Sequence, residues 1–317
     1  MARLTLVSVT LAVVVATTAC SDSSDSPILE PLQSRYVLSS EDSVPEGIAF
    51  DPVERAFYVT SLQGSSIVRV AADGTESTFR PADNRAQIGG AKIDADARRL
   101  WVCAQQVDGM DSRVWVYDLT SEELTNEFLL GALTTNASCN DLALDADGVA
   151  YVTDPANPFI YRLDARTDAG EILASDPLFN DLTGAGLGLN GIAVSPAGDA
   201  LLVAKFFPAG LLRVSLPDGG TITQVALAGD ELPSPDGLVF LNEDLYAVSG
   251  EAVSRIRPEA GFSSAMVTVA GQISGLSTAT TADDAIYVVK SEVVNFVLGA
   301  PLETPFEIFR VDPGAFD

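Results

Sequence analysis

One pattern recurs six times along this 317-residue chain, and it constrains the fold more than any other feature. Each copy opens on a small turn pair, enters an alternating apolar strand, turns at Asp or Gly, and continues into two further apolar strands. The openings read Glu46-Gly47-Ile48-Ala49, Gly89-Gly90-Ala91-Lys92, Asn140-Asp141-Leu142-Ala143, Asn190-Gly191-Ile192-Ala193, Asp236-Gly237-Leu238-Val239 and Ser274-Gly275-Leu276. Second strands follow as Phe57-Tyr58-Val59-Thr60, Leu100-Trp101-Val102-Cys103, Ala150-Tyr151-Val152-Thr153, Leu201-Leu202-Val203-Ala204, Leu245-Tyr246-Ala247-Val248 and Ile286-Tyr287-Val288-Val289. A fourth strand in the connecting segments, such as 76–79 or 221–226, completes a four-stranded unit. No stretch holds a helical period, so the two-residue alternation dominates.

Six such units predict an all-β chain, a six-bladed β-propeller. The sixth copy stops after its third strand, near Val311, while residues 34–39 form a strand ahead of the first copy. The ring is therefore expected to close by that N-terminal strand becoming the outer strand of the last blade, which removes an open edge.

In a ring of this kind every inner strand starts at the same end of the axial channel. The leading residues Glu46, Gly89, Asn140, Asn190, Asp236 and Ser274 should then converge, and four of the six offer oxygen donors. Two carboxylates and two amides without thiolate or imidazole suit a hard divalent cation, calcium ahead of magnesium, manganese or zinc. Asp-Gly and Asn-Gly are also favoured turn pairs anywhere, so the convergence and not the dipeptide carries the reading.

Composition narrows the chemistry. The chain has no histidine, which removes imidazole bases and the histidine-dependent nucleophile systems. Its formal charge of −26 opposes binding to nucleic acid or an anionic membrane surface. Whatever reaction occurs must run on carboxylates, amides, hydroxyls and a hard cation.

Residues 1–20 read as a targeting segment: Arg3, an apolar run too short to span a bilayer, then Thr17-Thr18-Ala19-Cys20. The small residues before Cys20 and the polar run after it resemble a bacterial lipoprotein signal, with Cys20 lipidated and the protein exported to the cell envelope or periplasm. Residues 21–32 read as a disordered polar tether, and 33–317 as the propeller. Cys103 and Cys139 remain as a pair in an oxidising compartment. Cys103 ends a second strand and Cys139 begins the next inner strand, so a disulfide between them is expected.

At the leading residues the chain resembles the senescence marker protein (regucalcin), gluconolactonase and luciferin-regenerating enzyme family of six-bladed propellers. Glu46-Gly47, Asn190-Gly191-Ile192-Ala193-Val194-Ser195-Pro196 and Pro235-Asp236-Gly237 are similar to that family's metal-ligand segments, and Asn140-Asp141 to its substrate-contacting segment. The resemblance implies a cation held by Glu46, Asn190 and Asp236, with Asp236 also the proton acceptor in hydrolysis of a lactone or related ester. It places Asn140 and Asp141 at the substrate. Lys205, at the analogous exit of the fourth copy, is a candidate to steer an anionic substrate. Asp141 and Asp154 are secondary candidate acids, and Lys92 is a candidate to face the channel. Ile48, Phe50 and Ser138 stand where the family often has proline, tryptophan and arginine, so the substrate pocket is expected to differ. The other class open to the chain is a noncatalytic propeller that binds a small ligand or a protein.

Overall fold

In the computed structural model, which describes residues 30–106, 112–184 and 187–316, the chain forms six antiparallel sheets in sequence order around an axis. Residues 1–29, which include Cys20, the expected leader and most of the expected tether, lie outside the described residues. Inner strands run Pro45–Asp51, Ala86–Asp94, Leu142–Leu144, Leu189–Val194, Leu238–Leu241 and Leu276–Ala282. Each pairs with the strand that follows it, as a chain of short hairpins dictates. Closure is as expected: Arg35–Val37 pairs antiparallel with Glu307–Val311 and becomes the outer strand of the sixth blade.

The core is divided among the blade interfaces. Six apolar clusters fill the six gaps between neighbouring blades. This is why the inner and second strands are not simply half apolar. All six residues of Ala56–Ser61 are buried because both faces of the strand are covered by sheets. The outer strand Glu76–Arg80, with one face toward water, shows exposed and buried positions. Trp101, Tyr161, Tyr287 and Phe57 are each at most 1% exposed at these interfaces, and burial of such a ring contributes about 2–3 kcal/mol.

Two elements depart from the four-strand pattern. The segment after the fourth blade divides at Val225: Ile222–Gln224 stays on blade four, while Ala226–Gly229 runs parallel to Ser264–Gln272 as a fifth strand of blade five. Val225 is 2% exposed and anchors the crossing from one sheet to the next. A short helix, Val293–Leu298, interrupts the long connection within blade six. Cys103 and Cys139 form a disulfide between blades two and three, with Cα atoms 5.5 Å apart. It closes a 36-residue separation, for which chain entropy gives about 4 kcal/mol.

Candidate functional site

A common irregularity builds the site. In blades one, two, four and six the pairing of inner and second strands slips by one residue at the leading end, between Pro45 and Ile48, Ile88 and Ala91, Leu189 and Ile192, and Leu276 and Ala279. Glu46-Gly47, Gly89-Gly90, Asn190-Gly191 and Ser277-Thr278 occupy those slips. A bulge of this kind bends the strand and re-aims its side chains.

These leading pairs then touch each other around the axis. Thr60 Oγ1 donates to the Gly89 carbonyl at 2.7 Å, Gly90 N–H to Asn140 O at 3.0 Å, and Thr153 Oγ1 to Asn190 O at 2.7 Å. Gly191 N–H donates to Asp236 O at 2.7 Å, Gly237 N–H to Ser277 O at 3.3 Å, and Ser277 Oγ to Glu46 O at 3.2 Å. The six contacts close a continuous ring. Glycine is needed because the backbones approach so closely: a Cβ on Gly191 would collide with the Asp236 carbonyl, and one on Gly47 with that of Gly89.

The ring corrects one sequence expectation. The sixth leading residue is Ser277, not Ser274. Ser274-Gly275 has the right composition, but Gly275 sits in a turn at φ +81°, and Ser274 lies beside Arg35, Lys290 and Glu307. Thr60 and Thr153, which link blade one to two and three to four, stand in the sequence pattern simply as strand ends. Their shared Tyr-Val-Thr ending was a signal, since a hydroxyl at one strand position in two repeats points to one job.

Glu46, Asn140, Asn190 and Asp236 are brought to the same end of the channel, each half-buried, with Asp141 buried beside them. Glu46 Oε2, Asn140 Oδ1, Asn190 Oδ1 and Asp141 Oδ2 are buried and have no hydrogen-bond partner in the protein. Buried oxygens are ordinarily satisfied, so four orphans at one end of one channel form a set of acceptors in need of positive charge or a donor. Among the described residues no three Cys, Asp or Glu side chains form a metal cluster by themselves. Here two amides complete the oxygen set, and an all-oxygen set is the donor chemistry of a hard cation.

Electrostatics agrees. Burial pushes the Asp236 carboxyl up to about 7, the charge of Asp141 adds to the rise, and a hydrogen bond from Asn190 partly offsets it. Glu46 is raised well above the usual carboxylate range by burial, then by Asp236 and Asp141, with Lys92 opposing. The ammonium of Lys92, 3.2 Å from Asp141 Oδ1, faces the channel and pairs with one carboxylate of the three. The surplus negative charge is left to a proton or to a cation from solution.

The remaining candidates fall outside this ring. Lys205 ends the second strand of blade four and donates to the Leu178 carbonyl at 2.7 Å; partial burial lowers its pKa. Asp154 is fully buried and accepts from the backbone of Ser138, Ala156 and Asn157 and from the Asn157 amide and Tyr161 hydroxyl. It organises the turn before Pro155 and is not a free acid. Asp236 also lines a cavity of about 290 Å³, with Ser234, Ser249 and Glu251 as its other polar residues and Phe206, Pro233, Leu276, Val293 and Val294 as its apolar ones.

Solved structures with this architecture include the major allergen of Malassezia sympodialis, Mala s 1, with 16% identity over 89% of this chain and 96% of the allergen at a TM-score of 0.70. A gluconolactonase from Xanthomonas campestris superposes with 19% identity over 85% of this chain and 87% of its own at 0.62. Virginiamycin B lyase from Staphylococcus aureus gives 14% identity, 87% and 97% coverage, and 0.58. At these identities the likeness establishes the fold. No curated protein sequence matches the chain. The profile of the SMP-30/Gluconolactonase/LRE-like region matches residues 43–290, which hold all six inner-strand leading pairs from Glu46-Gly47 to Ser277-Thr278, and the chain therefore belongs to that family.

Proposed function

We propose that this protein hydrolyses lactones or related esters with the help of one divalent cation, calcium ahead of magnesium, manganese or zinc. Glu46, Asn190 and Asp236 would hold the cation. The observation that carries the reading is the set of buried, unpartnered oxygens at the axial ring, charged beyond what Lys92 compensates. Membership of the family and gluconolactonases among the structural neighbours support the reaction class.

When bound, such a cation supplies Lewis-acid polarisation of the ester carbonyl and charge for the oxyanion that develops there. The protein's residues do the rest. Asp236 accepts the proton of a water whose oxygen attacks the carbonyl carbon, and the acyl–oxygen bond breaks as the departing alkoxide takes that proton back. Asn190, hydrogen-bonded to Asp236, keeps the carboxylate oriented. Lys92 holds Asp141 in place through their ion pair, and Asn140 and Asp141 would contact the substrate.

The same proposal places the protein outside the cytoplasm, lipid-anchored through Cys20, with a small-molecule substrate and no nucleic-acid partner. The Cys103–Cys139 disulfide supports an oxidising compartment.

Steady-state hydrolysis of a panel of lactones and aryl esters tests the reaction. Activity should fall at least a hundredfold on chelation, return on adding calcium, and fall by a similar factor in Asp236→Asn and Glu46→Gln. Absence of hydrolysis, or rates untouched by chelator and by both substitutions, would leave a ligand-binding propeller.

A further inference from the structure

The cavity over Asp236 carries its polar groups on Asp236, Ser234, Ser249 and the exposed Glu251. Phe206, Pro233, Leu276, Val293 and Val294 form the apolar part of its wall. The Ser249 hydroxyl, also on the wall, is already committed to the Ala252 backbone, donating to its carbonyl at 3.2 Å and accepting from its N–H at 3.1 Å. Around the mouth the apolar surface continues: Phe207 is 51% exposed, Val294 55%, and Val297 and Leu298 73% each. These side chains come from two separate segments, the turn after the second strand of blade four and the helix Val293–Leu298. Val293 and Phe296 dock that helix onto the propeller, so its outward face has no packing reason to be apolar. In a chain of charge −26, such a rim stands apart from the rest of the surface.

The chemistry of the walls selects among substrates. A polyhydroxylated lactone would set some of its hydroxyls against the apolar part of the wall, and each hydroxyl left unsatisfied there opposes binding. An alkyl or aryl substituent would instead lose its contact with water against Phe206, Val293 and Val294. We propose that the substrate of this site carries an apolar substituent, alkyl or aryl, beside the hydrolysed bond, and that the wall formed by Phe206 and the Val293–Leu298 helix selects it. This rests on the hydrolase reading above, since it names the substrate class of that same site.

The test uses the full chain with calcium and γ-lactones sharing one ring: γ-butyrolactone, γ-hexalactone, γ-octalactone and γ-decalactone, with D-glucono-1,5-lactone beside them. The specificity constant should rise about fourfold for each of the first few methylenes buried, with gluconolactone below the alkylated members. Val294→Asp, at an exposed position that does not threaten folding, and Phe206→Ala should each cut the decalactone-to-butyrolactone ratio at least tenfold. A flat series, a preference for gluconolactone, or ratios unchanged in both variants would overturn the proposal while leaving the hydrolase reading standing. If no lactone is hydrolysed, the hydrolase reading fails, and calorimetry with the matching 5-alkyl-2-pyrrolidinones decides the ligand class. Affinity that rises with chain length supports the apolar wall, and no binding at any length overturns it.

Discussion

Asp236 is placed where folding and ionisation oppose each other. In the unfolded chain an aspartate titrates near 3.9, whereas in the ring burial and Asp141 lift this one to about 7. The stability it contributes is therefore full below about pH 4 and is lost as pH rises through 7, because the unfolded state ionises first. Glu46 is shifted in the same direction. Cation-free protein should lose a few kcal/mol between pH 5 and 8, seen as a fall in Tm of about 5–10 °C by calorimetry. Asp236→Asn should flatten much of that slope, and saturating calcium should abolish it by favouring the charged carboxylates. A wild-type Tm level across this range without cation would contradict the burial of these acids.

At this scale the sequence was legible where chemistry and position coincide. Glu46, Asn190 and Asp236 stand out because an oxygen-bearing residue before glycine recurs at one point of a repeat. Ser277 did not, because Thr278 takes the place of the glycine and Ser274-Gly275 imitates the motif three residues too early for the slip before Ala279. Strand register depends on cross-strand pairing that no single segment reveals. The Lys92–Asp141 pair was hidden for the same reason, since the two residues meet only when blades two and three are side by side.

Among the elements, the inner-strand bulges set the geometry of the site. Their function depends on backbone contact between blades, and the tightest case is Gly191 against Asp236. Gly191→Ala should push blade four away from blade five and break the 2.7 Å hydrogen bond at the ring. Its Tm should drop by at least 5 °C, while Gly314→Ala, which meets nothing within 4 Å, should change it little. Equal Tm values for the two variants would show that the ring tolerates a side chain there. The hairpin order of the blades was readable from alternating apolar runs and turn residues. The division of residues 222–229 between two sheets was not, because one apolar run with a single buried Val225 looks the same whether it serves one blade or two. The Val293–Leu298 helix, only six residues long, is too short to show a helical period.

For the molecule as a whole, closure converts six weak local signals into one site. The N-terminal strand joins the last blade, which fixes the ring and brings residues as distant as Glu46 and Ser277 into contact. The charge of −26 has a role at this scale too, since its summed field concentrates cations near the channel and repels anions. The apolar cavity wall fits a neutral substrate in such a field better than a charged one. Calorimetric titration of calcium into protein stripped by chelator addresses the central claim directly. One equivalent should bind per chain and raise Tm, with affinity weakened at least tenfold in both Glu46→Gln and Asp236→Asn. No binding of calcium, magnesium, manganese or zinc, or binding that both substitutions leave unchanged, would contradict a cation site at the axial ring.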